Sequence, residues 1–155
     1  PIAIAKYYPN ATITSIDISS DALDIAEKNA EKNNVTINWK QLNFLDQRLW
    51  NTLGSYDIII SNPPYIRKTE AATMHTNVLA FEPHTALFVE DNDPLIFYKA
   101  IQEFCKNHLN KNGAVFLEIN EGLGKETAEL FNTNFTVEIK KDMQNKERMV
   151  MAYQF

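Results

Sequence analysis

Four consecutive residues, Asn62-Pro63-Pro64-Tyr65, have the side chains and the backbone that could do chemistry on a nitrogen atom. Two prolines fix φ and remove two backbone N–H donors, so the turn presents carbonyl acceptors with few competing donors. The Asn62 side chain adds a carbonyl that, with the Pro63 backbone carbonyl, can hold an NH2 group by both hydrogens and aim its lone pair at an electrophile. Tyr65 would pack on the planar group that carries the nitrogen. The run indicates transfer to an amide or exocyclic amine nitrogen; the alternative is a rigid turn that only closes a strand.

Three further residues could hold a nucleoside. Asp17 ends one predicted strand and precedes a helix, where doubly wound sheets place a carboxylate that accepts both hydrogen bonds of a ribose diol. Asn43 and Phe44 follow the next predicted strand and offer an amide edge and an apolar face to an adenine. Structural roles are the alternatives: a turn or capping aspartate, a turn asparagine and a core aromatic ring.

The elements that would position these residues alternate between strand-length apolar runs and helix-length amphipathic stretches, a pattern typical of an α/β protein. Three consecutive isoleucines in Tyr56–Ser61 predict a strand buried on both faces of a parallel sheet. Ser19 or Ser20 can cap the helix that Asn33 and Asn34 end. The other predicted strands are 11–16, 35–42, 114–119 and an antiparallel pair, 135–139 and 149–153; the other helices are 2–8, 94–109 and 125–131, and 66–92 is a long polar connection.

Composition limits the classes of function. The chain has 155 residues, and its 15 Lys and Arg against 20 Asp and Glu give a net charge of -5, which disfavours binding to a nucleic-acid backbone. One cysteine, Cys105, allows no internal disulfide, and no apolar run could span a bilayer, so we expect a cytoplasmic protein without a membrane partner. His75, His84 and His108 show no metal-ligand spacing with Cys105, and no metal site is expected.

The order of the motifs resembles that of the HemK-type N5-glutamine methyltransferases. These are class I S-adenosylmethionine enzymes that methylate the glutamine of the Gly-Gly-Gln motif in peptide-chain release factors. The resemblance rests on Asp17, Asn43-Phe44, the stretch DIIISNPPYI over 57–66, Phe81-Glu82-Pro83 with Ala86-Leu87, and Glu147-Arg148-Met149-Val150.

The resemblance implies a Rossmann-like class I methyltransferase fold, a three-layer α/β sandwich whose mostly parallel sheet has an antiparallel terminal strand. It implies that Asp17 binds the ribose of S-adenosylmethionine and that Phe44 flanks the adenine. Asn62 would lie beside the transferable methyl, and the residues Asn62, Pro63, Pro64 and Tyr65 would hold the glutamine amide. S-adenosylhomocysteine would be the product, and release factors the protein partners.

Two departures from the family pattern stand out. The family usually has an acidic residue where this chain has Asn43; the asparagine carbonyl can still accept from an adenine amino group, so altered affinity is expected. The family's glycine-rich loop, first strand and helical domain would precede residue 1, which fits the 4 glycines where average usage gives about 11. We therefore expect residues 1–155 to be an amino-terminally incomplete methyltransferase domain that cannot form the whole 3-2-1-4-5-7-6 sheet.

Other functions stay open at this point. The same motif serves methylation of ribosomal-protein glutamine or of adenine in DNA, although the charge of -5 disfavours DNA. Asp17 would also suit the ribose of NAD in an oxidoreductase, against which the Asn62 to Tyr65 turn argues. A non-catalytic nucleotide-binding module is the third alternative.

Overall fold

The computed structural model describes residues 1–73 and 83–155, which fall into two compact units, Pro1–Thr52 and Leu53–Phe155. In chain order, the elements of the first unit are α1 (Ile2–Tyr7), β1 (Thr14–Asp17), α2 (Ser20–Lys32), β2 (Asn38–Gln41) and the 3-10 helix Gln47–Thr52. The strands β1 and β2 are parallel, with Thr14 opposite Asn38 and Asp17 opposite Gln41. The carboxyl ends of both strands therefore lie at the same end of the pair.

The α2 helix begins and ends where the sequence predicts. The Ser19 hydroxyl accepts a hydrogen bond from the Ala22 N–H at 3.2 Å, which satisfies one of the donors that a helix start leaves open. After the last turn, Asn34 has φ 52°, the left-handed conformation that asparagine tolerates better than most side chains. Ala30 is buried on the apolar face of the helix.

The second unit contains a four-stranded sheet in the order β3-β6-β8-β7 and a short parallel pair, β4 and β5. β3 and β6 are parallel, whereas β8 is antiparallel to both β6 and β7, which confirms the predicted terminal pair. Its elements are β3 (Tyr56–Ser61), β4 (Ile66–Arg67), the 3-10 helix Lys68–Thr73, α3 (His84–Leu87), β5 (Phe88–Val89), α4 (Ile96–His108), β6 (Leu109–Glu118), the 3-10 helix Glu121–Leu123, α5 (Gly124–Phe131), β7 (Phe135–Lys141) and β8 (Glu147–Gln154).

The core of the second unit lies around β6 and β8. Val115 and Val150 are fully buried, and alternate residues along both strands follow the two-residue period of a sheet with one face covered. Tyr98 of α4 and Phe131 of α5 are also buried, at 0% and 1% exposure. These side chains fix the two central strands, and with them the loops that follow their ends.

The prediction that β3 is buried on both faces is wrong for the described residues. Ile58 and Ile60 are 56% and 59% exposed, and only Ile59 between them is partly covered. Among residues 1–73 and 83–155, β3 pairs with a single neighbour, β6, so it forms one edge of its sheet. The three isoleucines predict the strand correctly. Whether their side chains are buried depends on other elements, which a local pattern does not identify.

The described strands form separate sheets, and the incomplete domain expected from the sequence stays a prediction. No strand of the described residues pairs β1–β2 with β3-β6-β8-β7, so these residues form no single continuous sheet.

The predicted polar connection 66–92 contains β4, β5 and α3, with Ile66 opposite Phe88 and Arg67 opposite Val89. Of the motif Phe81-Glu82-Pro83, the first two residues lie outside the described residues, as does His75. Within the described parts of the chain, no helix combines the length and the apolar character needed to cross a membrane.

Candidate active site

The turn Asn62 to Tyr65 follows β3 directly and lines a pocket of about 160 Å³. Ile66 of β4 and the residues Ala86 and Leu87 of α3 complete its wall, so the structure brings together two separate parts of the motif set. Pro63 is buried, whereas Asn62 is exposed and its side chain makes no hydrogen bond with any described residue. The surface that lines the pocket is therefore mostly polar, and it includes an amide that is accessible to a ligand.

Tyr65 is held from the carboxyl end of β6. Its hydroxyl donates to Glu118 Oε1 at 3.1 Å, and its backbone carbonyl accepts from Asn120 Nδ2 at 3.5 Å. Asn120 Nδ2 also donates to Glu70 Oε2 at 3.4 Å, while Asn120 Oδ1 accepts from the Gly122 N–H at 2.9 Å. One asparagine thus connects the turn to two neighbouring 3-10 helices.

The surroundings of Tyr65 keep its hydroxyl protonated. Burial raises the pKa of Tyr65 above the ordinary value of 10.0, the Glu118 carboxylate raises it further, and Arg148 lowers it. Tyr98, whose hydroxyl donates to the Glu118 backbone carbonyl at 3.0 Å, also has a raised pKa, again mainly because of burial. Both phenols are therefore hydrogen-bond donors at neutral pH.

The first unit contains the three residues predicted to bind a nucleoside. Asp17 lies at the end of β1 and is exposed; its Oδ1 accepts from the Ser19 N–H at 2.9 Å, so it forms a turn just before α2, whose N-cap is Ser19. Asn43 follows β2, and its Oδ1 accepts from the Leu45 N–H at 3.1 Å. The parallel register places Asp17 and Asn43 after the carboxyl ends of neighbouring strands, as expected.

Phe44 is partly buried beside an aromatic neighbour. Its ring centroid lies 5.4 Å from that of Trp50, and its backbone carbonyl accepts from Trp50 Nε1 at 2.8 Å. The aromatic pair and the hydrogen bond fix the segment after β2. Asp17 and Asn43 therefore have the turn roles considered above, Phe44 is partly buried and not a core residue, and the Asp17 carboxylate stays exposed.

The sequence motifs include neither Tyr98 nor Asn120, which both contribute to the surroundings of Tyr65. Asn120 carries a usable signal, because it follows the end of β6, the parallel neighbour of β3, by two residues. Tyr98 carries none, since its contact with the backbone of Glu118 depends on how α4 packs.

Other chemistry finds no support in the described residues. Burial raises the pKa of the Cys105 thiol to about 12, which makes it unreactive. Within 1–73 and 83–155, no three His, Cys, Asp or Glu residues are grouped so that they could bind a metal ion.

Comparison with known proteins identifies the family. The family model described as "Methyltransferase small domain" matches residues 1–147. The chain belongs to this methyltransferase family. It is 47% identical over 151 residues to a release factor glutamine methyltransferase from Flavobacterium psychrophilum, covering 96% of the chain and 52% of that protein. It is 39% identical over 157 residues to the protein of the same name from Bacteroides thetaiotaomicron, covering 97% of the chain and 55% of that protein.

These relatives confirm the resemblance drawn from the motifs, and the chain spans about half of their length. A solved structure of a putative methyltransferase from Streptococcus mutans in complex with SAH has a TM-score of 0.58 and 15% identity, covering 93% of the chain and 76% of that structure. At this identity the likeness shows the fold alone. The predicted class I methyltransferase fold is thereby confirmed.

Proposed function

We propose that the protein carrying this chain transfers a methyl group from S-adenosylmethionine to a glutamine side-chain nitrogen in the Gly-Gly-Gln motif of peptide-chain release factors. The observation that carries the proposal is the pocket formed by the Asn62 to Tyr65 turn with Ala86 and Leu87, in a chain 47% identical to a release factor glutamine methyltransferase. An exposed amide beside proline carbonyls suits an NH2 group better than it suits a charged or hydroxyl substrate.

The residues of the first unit fit a nucleoside by their chemistry. Asp17 is an exposed carboxylate with Oδ1 used by the Ser19 N–H, and it would accept hydrogen bonds from the ribose hydroxyls. Asn43 would accept from the adenine amino group, and Phe44 would flank the base. When bound, S-adenosylmethionine would supply a methyl whose bond to sulfur breaks as its bond to the glutamine nitrogen forms.

The chain's own residues would act mainly by alignment, because an amide nitrogen is a weak nucleophile and a sulfonium methyl is already a strong electrophile. Asn62 Oδ1 and the Pro63 carbonyl would accept the two hydrogens of the glutamine NH2 and stabilise the positive charge that grows on nitrogen. Tyr65 would pack on the amide plane. The extra proton would then leave to water, so no general base is assigned.

Mass spectrometry of release factors incubated with the full-length protein and S-adenosylmethionine tests the proposal. One added methyl on the Gly-Gly-Gln glutamine is expected. Asn62→Ala should lower kcat on the order of 100-fold because the lost interaction strengthens in the transition state. Asn107→Ala, a change of an exposed asparagine on α4, is the matched control and should leave kcat unchanged. An unmodified glutamine rejects the substrate, and Asn62→Ala within twofold of wild type rejects that role.

Titration separates the remaining alternatives. Binding of S-adenosylhomocysteine without NAD is expected; binding of NAD alone would indicate an oxidoreductase, and binding of neither would indicate a module without cofactor chemistry. Ribosomal-protein glutamine and DNA adenine are assayed beside the release factors. Methylation of either in preference to a release factor would move the proposal to that substrate.

A further inference from the structure

The Glu118 carboxylate, which has no part in the proposed transfer step, supports the turn Asn62 to Tyr65. β3 and β6 are parallel with Ser61 opposite Leu117, so Asn62, the first residue after β3, comes at the level of Glu118, the last residue of β6. Glu118 thereby reaches the third residue after Asn62, the tyrosine, and Tyr65 Oη donates to its Oε1 at 3.1 Å. A hydrogen bond to an ionised acceptor is stronger and more directional than one between neutral groups.

The backbone of Glu118 is fixed on several sides. It pairs with Met149 of β8, and its carbonyl accepts from the hydroxyl of the fully buried Tyr98 at 3.0 Å. The next residue, Ile119, donates its N–H to the Arg148 carbonyl at 3.0 Å and is also fully buried. These contacts fix the position of the Glu118 backbone, and the bond to Tyr65 Oη then gives its carboxylate a partner.

The Glu118 carboxylate and the Arg148 guanidinium are the charged groups that act on the Tyr65 hydroxyl. Arg148 is the cationic neighbour, and its guanidinium lies 3.4 Å from Asp142 and 3.8 Å from Glu121. Glu118 accepts from the Tyr65 hydroxyl, while Arg148, which lowers the pKa of Tyr65, is shared with the carboxylates of Asp142 and Glu121. The closing motif around Arg148 thus contributes to the same neighbourhood as the pocket turn.

We propose that Glu118 is a positioning residue, which binds the Tyr65 hydroxyl and so fixes the ring against which the substrate amide packs. The inference rests on the proposed function and deepens it, because it explains how the tyrosine keeps a defined plane. A ring without this anchor rotates about its side-chain bonds, and a small misplacement of the packed amide slows in-line transfer.

A double-mutant cycle in the full-length protein tests the proposal. Glu118→Ala and Tyr65→Phe should each lower kcat about tenfold, with KM for the release factor changed less than kcat. The double variant should be no slower than either single variant, because both remove the same hydrogen bond. Glu118→Gln keeps a carbonyl acceptor of the same length and should restore most of kcat. Glu138→Ala, a change of a carboxylate on β7 that pairs with Lys140 at 2.5 Å, is the matched control and should match wild type.

An NMR titration of the Tyr65 ring carbons supplies a readout that does not depend on activity. Glu118→Ala and Glu118→Gln should both lower the pKa of Tyr65 relative to wild type, because the neighbouring negative charge is gone. An unchanged titration, Glu118→Ala within twofold of wild-type kcat, or single effects that multiply in the double variant would each overturn the inference. A wild-type protein that leaves glutamine unmodified would instead overturn the proposed function, and the titration would still report on the contact.

Discussion

The turn after β3 and the turn after β7 both end strands of the same sheet, but they are stabilised in different ways. In the turn 142–146, Asp142 Oδ1 accepts from the N–H groups of Gln144 and Lys146 at 2.8 and 3.1 Å. The Asp142 N–H donates to the Lys146 carbonyl at 2.9 Å, and Asn145 takes the left-handed conformation with φ 65°. Every one of these contacts lies within four residues.

The turn Asn62 to Tyr65 has the opposite arrangement. Glu118 binds the Tyr65 hydroxyl and Asn120 binds the Tyr65 carbonyl, and these residues are 53 and 55 positions away from Tyr65. Two prolines remove the N–H groups that a local turn would use. Because contacts from distant residues hold this turn, the Asn62 side chain is not used to close it and stays exposed. The difference separates a structural turn from one suited to binding.

Removal of Tyr98, which binds the backbone of Glu118, should have the largest effect on the free energy of unfolding. Tyr98→Ala deletes a fully buried ring and the hydrogen bond to the Glu118 carbonyl, and should lower the free energy of unfolding by about 3 to 5 kcal/mol. Urea unfolding of the full-length protein measures this change. Tyr7→Ala, at a side chain 83% exposed, is the control and should change it by less than about 0.5 kcal/mol. Equal effects of the two changes would contradict the importance of the buried support.

Removal of the Asp142 carboxylate should affect only the hairpin of β7 and β8. Asp142→Ala deletes the acceptor for two backbone N–H groups, and amide exchange at Gln144 and Lys146 should accelerate roughly fivefold. Hydrogen exchange followed by NMR measures it. Exchange in the 62–66 segment serves as the internal control and should stay the same. Faster exchange in both segments would mean that the two turns are coupled.

The same aspartate makes the hairpin sensitive to acid. The Lys146 N–H, with smaller contributions from Gln144 and Arg148, lowers the pKa of Asp142 below its ordinary 3.8, although partial desolvation opposes this. A folded pKa below the unfolded value means that the stabilisation is present above pH 3.8 and is lost as pH falls through the folded pKa. Amide exchange of the turn measured between pH 5 and pH 2, each value referred to the intrinsic exchange rate, should show the loss. Asp142→Asn should abolish that dependence.

The smallest change in stability is expected from a glycine at Asn145, which has a left-handed backbone conformation. Asn145→Gly removes the Cβ from a residue with φ 65° and should stabilise the hairpin by no more than about 0.5 kcal/mol, since the unfolded chain also gains freedom. Thermal unfolding measures the shift. Asn132→Gly is the control, because Asn132 has φ -60° and should lose stability with glycine. A destabilising Asn145→Gly would show that its side chain does more than permit the conformation.

Local patterns predicted much of this molecule because the physical causes are themselves local. Ser19 caps α2 as expected because a hydroxyl needs only the N–H three residues on, and Asn34 ends the helix because it tolerates φ 52°. The turn after β3 was predicted from its prolines and from the three isoleucines that precede it. The exposure of Ile58 and Ile60 was not predicted, because the burial of a strand depends on elements that lie far away in the chain.

The sequence by itself determined the order of helices and strands, the acceptor-rich turn and the family to which the chain belongs. Only the tertiary structure decided which side chains support that turn. The Glu118 carboxylate and the Asn120 amide bind Tyr65, and the Tyr98 hydroxyl binds the backbone carbonyl of Glu118. The reason is the range of the interactions. Backbone preference and capping act within a few residues, whereas the register of β3 against β6 brings together residues more than fifty positions apart.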